Sequence, residues 1–456
     1  MSQGLSGDEL EALLDEHPTE AHRRLQDIHP EDLADVVEGL ADERAGELLM
    51  QLPPEFAAQV FERLDEGQQE SVAEAMGVES TARLALEMDP DELADFISIV
   101  PPAMSEPLLQ QLEVADPEAA QELEELRRWP ETSAGGLMTT DYIYIEPSCR
   151  VREAIATLRA SAIDAETLEA LYVLDADYRL LGVATLRRLL LASPDDLVDD
   201  LMLRGVKSVP PELDQEDVAR TMAKYDLLAM PVVDEKGVLL GVITADDVLH
   251  VLVEEQSEDV HKMSAMEPLV DGYLDTTFWE LLQKRLPWLL MLFFAGFLTT
   301  QALQVFDREI ALVTQLAFYL PLLVSAGGNS GAQSSVLVIR GIALREIQST
   351  DWPRVLWREL ALGLGMGLVL AVFGVARALI VGDGVEFAVL VGVTVVSIVV
   401  LGCVIGGMAP LALRRIGVDP ATSSTPLIAS LIDVLGILVY LFLARGLLSA
   451  LDSVQH

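Results

Sequence analysis

The chain has 456 residues, with 73 Asp and Glu against 30 Lys and Arg, two Cys and 51% hydrophobic residues. That length accommodates about two to four domains, and the acidic excess excludes a basic nucleic-acid binder, because phosphate contacts need Lys and Arg. Acidity and hydrophobicity occupy different regions: residues 1–275 hold 62 acidic and 19 basic residues, whereas residues 276–456 hold 11 of each. Cys149 and Cys403 fall on opposite sides of that divide, which argues against disulfide scaffolding. Met1–Leu25 is acidic and lacks an apolar core, so it is not expected to act as a secretory signal. These features describe a cytosolic acidic half joined to a membrane half.

Residues 1–130 read as helices built on a repeated phrase. It occurs as His29-Pro-Glu-Asp-Leu-Ala-Asp35, as Pro53-Pro-Glu-Phe-Ala-Ala58 and as Asp89-Pro-Asp-Glu-Leu-Ala-Asp95. Proline suits the first turn of a helix, carboxylates favour its N-terminus, and Leu or Phe opens the apolar stripe. Starts spaced in multiples of about 12 residues imply a small α-superhelix of short stacked helices. His29 at a repeat start and His250 in a helix are expected to be structural.

Residues 131–200 and 201–250 hold a second repeat. Tyr172-Val-Leu-Asp-Ala-Asp-Tyr-Arg-Leu-Leu-Gly182-Val-Ala-Thr185 returns 59 residues later as Pro231-Val-Val-Asp-Glu-Lys-Gly-Val-Leu-Leu-Gly241-Val-Ile-Thr244. Each copy reads as strand, turn, strand, helix, and each follows a Leu-Met pair, Leu137-Met138 and Leu201-Met202. These copies resemble tandem CBS modules of the α/β class. A connecting helix over 251–283 then leads toward the membrane. Its Glu254/Glu258 and Glu255/Asp259 are like-charge pairs four apart, which cost helix stability unless compensated; a bound divalent cation would compensate them, and a solvated acidic face is the plainer reading.

Residues 284–456 contain five mostly apolar stretches, near 286–306, 311–339, 356–381, 386–413 and 422–449, each about long enough to span a bilayer. Lys284 and Arg285, then Arg340, Arg345, Arg354 and Arg358, then Arg414 and Arg415 recur in alternate connections. Positive residues mark the cytoplasmic side, so the N-terminal half is expected in the cytoplasm and the C-terminus outside. The second stretch carries Gly327-Gly-Asn-Ser-Gly-Ala-Gln333. Such a run is expected to weaken the helix, with either tight helix packing or a water-filled pathway as its reason. Asn329 and Gln333, four apart, put two amides on one face. The last stretch carries Asp433, a carboxylate near mid-membrane, where insertion costs about 2.5–3.5 kcal/mol or more and function is the default hypothesis. The plain alternative is a buried pair with Arg377 or Arg445. One carboxylate per chain makes a sparse site, which a two-fold dimer would double; such a site suits hydrated Mg²⁺, without excluding Mn²⁺, Co²⁺ or Ca²⁺.

An acidic helical domain, a CBS pair, a connecting helix and five spans together resemble the MgtE-type magnesium channels and transporters. The resemblance is carried by Gly327–Gln333 with Arg340-Gly-Ile-Ala, Asp419-Pro420, Ile432-Asp433-Val-Leu-Gly436, Tyr225-Asp226 and the Glu254–Asp259 run. It implies a homodimer in the cytoplasmic membrane whose pore is lined by the second and fifth spans, with Asp433 as pore carboxylate and Gly327, Gly328, Asn329 and Gln333 lining it. It also implies that intracellular Mg²⁺ closes the pore through Asp91, Asp95, Glu216, Asp226, Asp247, Glu255, Glu258 and Asp259. ATP at the CBS pair would involve Thr244, Asp247 and Arg187, although the first copy has Arg188 where the second has Asp247. Ser325-Ala326 ahead of Gly327 departs from the bulkier family pattern. Alternatives are an ion-coupled transporter of divalent cations such as Co²⁺ or Mn²⁺ and a membrane-anchored metal or nucleotide sensor. An enzyme is not expected, since no phosphate-binding Gly-x-x-x-x-Gly-Lys loop and no His-Glu-x-x-His occur.

Overall fold

The computed structural model describes residues 28–160, 170–269, 273 and 276–454. The chain divides into two compact units, Met1–Glu255 and Gln256–His456.

The first unit opens with α1 (Pro30–Val37), α2 (Asp42–Leu49), α3 (Pro54–Phe61), α4 (Glu66–Met76), α5 (Val78–Ala85), α6 (Pro90–Ile99), α7 (Pro102–Ala115) and α8 (Pro117–Leu126). The first seven helices start every 12 residues. Proline occupies the first turn of α1, α3, α6, α7 and α8, where its missing N–H costs nothing. His29 caps α1, its Nδ1 accepting from the Glu31 amide at 3.2 Å. Each helix packs on the one two places along, α1 on α3, α2 on α4, and so on to α6 on α8. A 12-residue period therefore generates the superhelix: one helix of about two turns plus a short corner brings the next-but-one helix back onto the same apolar seam. Phe61 and Phe96 meet edge-to-face in that seam, ring centroids 5.1 Å apart.

The second repeat follows as β1 (Tyr144–Ile145), α9 (Val151–Ala160), β2 (Ala170–Leu174), β3 (Leu180–Thr185), α10 (Leu186–Leu191), α11 (Val198–Leu201), β4 (Leu203–Arg204), α12 (Gln215–Tyr225), β5 (Ala229–Val233) and β6 (Leu239–Thr244). The 59-residue repeat is reproduced in the register. Ala170 faces Thr185 and Ala229 faces Thr244, and each hairpin shifts register at the same place, between Val173 and Leu174 and between Val232 and Val233. Asp175 and Asp234 close the two turns, each accepting backbone N–H bonds two and four residues on. Tyr178 holds φ +57° where the second copy has Gly237 at φ +84°. The Leu-Met pairs cross over. Met138 and Thr139 lie against Gly241, with Thr139 bridged to Val242, whereas Met202 and Leu203 lie against Gly182 of the first copy. A Cβ on Gly182 or Gly241 would come within 2.6 or 2.7 Å of a backbone oxygen, so only glycine lets these strands approach.

α13 (Ala245–Met263) continues from the second copy as one 19-residue helix. The second unit contains α14 (Phe278–Val305), α15 (Asp307–Leu312), α16 (Gln315–Ala343), α17 (Trp352–Val381), α18 (Val385–Arg415) and α19 (Thr425–Val454). Among the described residues, four helical segments are long and apolar enough to cross a membrane: Phe278–Val305, Ser349–Val381, Val385–Arg415 and Thr425–Leu447. α16, the second of the five expected stretches, is a 29-residue helix and long enough to span, with its polar and glycine residues lowering its apolar character. One correction concerns its continuity. The expected weakening at Gly327–Gln333 does not interrupt α16, which runs unbroken for 29 residues. The physical reason is packing. Gly327 and Gly331 of α16 lie against Gly402 and Gly406 of α18, so close that a Cβ on Gly402 would stand 2.5 Å from the Gly327 carbonyl oxygen. Two glycines four apart on each helix bring the backbones together, and dispersion across that seam offsets the poor helix propensity of glycine. Gly363 and Gly367 of α17 pack on α18 in the same way.

Candidate permeation pathway and acidic sensor

Asp433 lies half-buried on α19. Neither alternative partner is engaged with it. Arg377 stacks over the Tyr319 ring at 4.7 Å, Tyr319 donates to Asp383 at 2.7 Å, and Arg445 pairs with Glu309 at 3.5 Å. Across from Asp433 the backbone of α16 comes near: a Cβ on Gly328 would sit 3.6 Å from Asp433 Oδ1 and 3.7 Å from Ala429 Cβ. Gly328 thus brings the α16 backbone within ordinary contact range of the carboxylate, whereas Gly327 is buried against Ile398 and Ile432 in the packing seam. Asn329 is exposed and Asn329 Nδ2 donates to Ser325 Oγ at 3.3 Å; Gln333 is also exposed. Ser325, Asn329 and Gln333 follow at four-residue steps, which on an α-helix is one stripe. A polar stripe on an exposed face of a membrane-length helix demands a wet or protein partner, because lipid satisfies none of its hydrogen bonds.

In the first unit the acidic residues converge around α6. Glu62, at the end of α3, accepts from the Asp89 amide at 3.0 Å. Burial pushes its carboxyl up to about 7, with Asp89 adding repulsion. Glu92 is pushed up to about 8, first by burial and then by Glu62, Asp95, Asp247 and Asp89. Asp95 reaches about 7; crowding by protein comes first, then Glu131, Glu66, Asp247 and Glu254. Asp89 is raised by burial, with Arg63 opposing and Asp246 adding to it. Asp247 is raised by burial, opposed by the Thr244 hydroxyl, which donates to it at 2.6 Å. The Thr244 amide also donates to Asp247, at 3.2 Å, so this pair fixes the start of α13 as a cap. Among the described residues no three carboxylate, His or Cys side chains stand close enough to hold a metal ion. The donor set nevertheless fits one chemically, since several oxygen ligands whose ionisation is suppressed by burial and then by one another are groups whose charged form a hard divalent cation would favour.

The other residues singled out in the sequence are dispersed. Asp91 is buried at 8% exposure on α6. Glu216 pairs with Arg220 one turn on, and Asp226 ends α12 in the left-handed conformation at φ +51°. Glu255 accepts from Gln215 Nε2 at 2.8 Å. Glu258 accepts from Lys262 Nζ at 2.6 Å, and the same ammonium reaches Asp419 at 2.8 Å. Asp259 lies on the same helix. Burial pulls the Lys262 ammonium down, but the bonds to Asp419 and Glu258 outweigh that and push it up to about 12. Arg187 is exposed, while Arg188 Nη1 donates to the Leu201 carbonyl at 2.8 Å. Sequence reasoning names neither Glu62 nor Glu92, two strongly perturbed carboxyls, nor Lys262 or Glu359. Glu92 stands within the third repeated phrase, between the two positions that are named, and the hydrogen bond from the Asp89 amide to Glu62 joins the start of α6 to the end of α3.

Comparison with known proteins agrees with this layout. Residues 320–443 match the MgtE divalent cation transporter family, residues 28–132 the MgtE intracellular N domain, and residues 134–195 and 198–254 the CBS domain. The chain is 39% identical over 442 residues to the magnesium transporter MgtE of Thermus thermophilus, covering 97% of this chain and 98% of that protein. It is 33% identical over 432 residues to the magnesium transporter MgtE of Bacillus subtilis, covering 94% of each. Among solved structures it resembles the cytosolic domain of the Mg²⁺ channel MgtE in complex with ATP, at 38% identity and a TM-score of 0.51, over 54% of this chain and 99% of that one. A second is the soluble part of a magnesium transporter, at 29% identity and a TM-score of 0.52, over 55% of this chain and 97% of that one. With an acidic helical domain, a CBS pair and a helical membrane half in the same order, the chain belongs to the MgtE family of magnesium transporters.

Proposed function

We propose that the chain imports Mg²⁺ across the cytoplasmic membrane as a two-fold homodimer, with Asp433 at the narrow part of the path and the cytosolic carboxylates as a feedback sensor. The observation that carries the pathway is the stripe of Ser325, Asn329 and Gln333 on the same helix as Gly328, the residue that faces Asp433. A second copy facing this stripe would enclose it and supply a second Asp433. Amides and carboxylates at that spacing bind a cation through its retained waters, the mode Mg²⁺ prefers. With the N-terminal half in the cytoplasm and the C-terminus outside, an inside-negative potential favours entry of a divalent cation by about 5 kcal/mol per 100 mV. No coupled ion is then needed.

The sensor reading rests on the cluster of Glu62, Asp89, Glu92, Asp95 and Asp247. Mg²⁺ bound there stabilises the arrangement in which these groups are gathered; without it they repel, and the population shifts to an arrangement that separates them. α13 leaves this cluster, and Lys262 at its far end is tied to Asp419, in the connection that leads into α19 and Asp433. ATP is the secondary ligand of this proposal: Arg187 is exposed and could meet a phosphate, and Thr244 and Asp247 bond each other at the start of α13.

The test is Mg²⁺ uptake into liposomes that hold a Mg²⁺ dye, at low and at millimolar Mg²⁺ on the cytosolic face. Uptake at low Mg²⁺ that is suppressed at millimolar Mg²⁺ is the expected result. Absence of uptake under both conditions, with Mg²⁺ still binding the protein, would replace the importer by a non-conducting sensor.

A further inference from the structure

Glu359 is a carboxylate of the membrane half with no part in the pathway described above. It is the eighth residue of α17 and is 6% exposed. Its Oε2 accepts a 2.6 Å hydrogen bond from Ser334 Oγ of α16. The backbone of α18 closes the other side, where a Cβ on Gly407 would stand 2.7 Å from Glu359 Cγ. Glu359 therefore occupies the meeting point of three helices and holds one of them by a polar bond.

Its place relative to Asp433 follows from helix geometry. Gly328 is the residue of α16 that faces Asp433, and Ser334 comes six residues later. Six residues advance about 9 Å and rotate about 240°. Glu359 thus grips the back of α16, while the front presents Gly328 and Asn329 to the path. The neighbouring seam of α16 is glycine against glycine and isoleucine, close-packed but without a side-chain polar bond. A buried carboxylate is an expensive way to fill space, since an apolar side chain of similar volume would fill it without desolvating a charge-bearing group. What it adds is direction.

We propose that Glu359 is a positioning residue for permeation, which through Ser334 sets the height and rotation of α16 and so the opening that Gly328 and Asn329 leave beside Asp433. This rests on the reading of Asp433 as part of the path. The full chain is reconstituted in liposomes as wild type, Glu359→Gln, Glu359→Leu, Ser334→Ala and the Glu359→Leu/Ser334→Ala double variant. Mg²⁺ and Ca²⁺ uptake are measured for each, with size-exclusion profiles confirming the fold. Glu359→Gln keeps an acceptor for Ser334 and is expected to conduct like wild type. Glu359→Leu and Ser334→Ala are each expected to lower Mg²⁺ uptake by roughly tenfold, the scale of one buried polar group left without its partner, and to change the Mg²⁺ to Ca²⁺ ratio. The double variant is expected to be no worse than either single one, because both break the same bond. A general packing role would lower folded yield, leave the ion ratio unchanged and give no rescue by Gln. Wild-type uptake and ion ratio in Glu359→Leu, or additive losses in the double variant, would overturn the proposal. If Glu359→Leu does not fold, Ser334→Ala decides by the same two readouts. An Asp433→Asn control separates the two ideas: full conduction in it refutes the path itself, whatever the result at Glu359.

Discussion

Replacing Glu92 by Gln should stabilise the Mg²⁺-free protein, and increasingly so as the pH rises above about 4.5. In the folded chain the Glu92 carboxyl is pushed up to about 8 from an ordinary value of 4.5, first by burial and then by Glu62, Asp95, Asp247 and Asp89. A folded-state value above the unfolded one means that the folded state holds the proton more tightly. Folding is then unpenalised below pH 4.5; stability falls as the pH rises from 4.5 toward 8, and the full penalty is present above 8. At pH 7 the gap corresponds to a cost on the order of 3 kcal/mol. The amide retains the shape of the carboxyl without its charge, so Glu92→Gln should recover much of that. Amide hydrogen exchange of α6 in the full chain without Mg²⁺ reads the effect directly. Exchange in Glu92→Gln should be slower than in wild type by up to about a hundredfold at about pH 7.5, with the difference shrinking to at most a few-fold at about pH 5. Mg²⁺ should slow exchange strongly in wild type at the higher pH, and much less in the variant. Faster exchange in Glu92→Gln at the higher pH, or a Mg²⁺ effect undiminished by the substitution, would refute the reasoning.

Lys262→Gln removes the ammonium that joins Glu258 to Asp419. These side chains are partly exposed, so the loss is about 0.5–1 kcal/mol, and the cytosolic Mg²⁺ that halves uptake should shift by about two- to fivefold; an unshifted dose curve would show that the tie carries no coupling. Gly406→Ala places a Cβ against the Gly331 carbonyl, a backbone atom that cannot move aside. It should cost about 1–3 kcal/mol and lower the thermal midpoint of the membrane half, while Gly446→Ala, which meets nothing within 4 Å, should not; equal midpoints would mean that the seam is looser than its geometry states.

The parts of this molecule that are legible in its sequence are the repeated ones. A 12-residue phrase forces a stack of short helices, and a 59-residue phrase forces two hairpins of equal register, since both depend on nearest-neighbour chemistry: proline in the first turn, aspartate closing a turn, glycine where strands touch. The crossing of the Leu-Met pairs is not legible, because Met138 and Met202 have the same local pattern whichever sheet they join. The glycine run of α16 misleads for a related reason. Its local propensity opposes a helix, and only the matching Gly402 and Gly406 on α18, distant in the chain, reverse that sign. Glu359 stands beside Arg358 as one more charge near the end of a span, and its burial against Ser334 depends on two helices packing. For the proposed pathway, Asp433 stands out because a lone carboxylate within an apolar stretch is informative by itself. For the sensor, the composition hides its members among 62 acidic residues in the first 275.

The central claim is that Mg²⁺ passes Asp433. Uptake of Mg²⁺ into liposomes carrying wild type or Asp433→Asn, at low cytosolic Mg²⁺ and with an inside-negative potential, tests it most directly. Uptake should be lost or reduced at least about tenfold in Asp433→Asn, with Mg²⁺ still slowing amide exchange of α6 in both proteins. Equal uptake by the two proteins would take Asp433 out of the path and contradict the account.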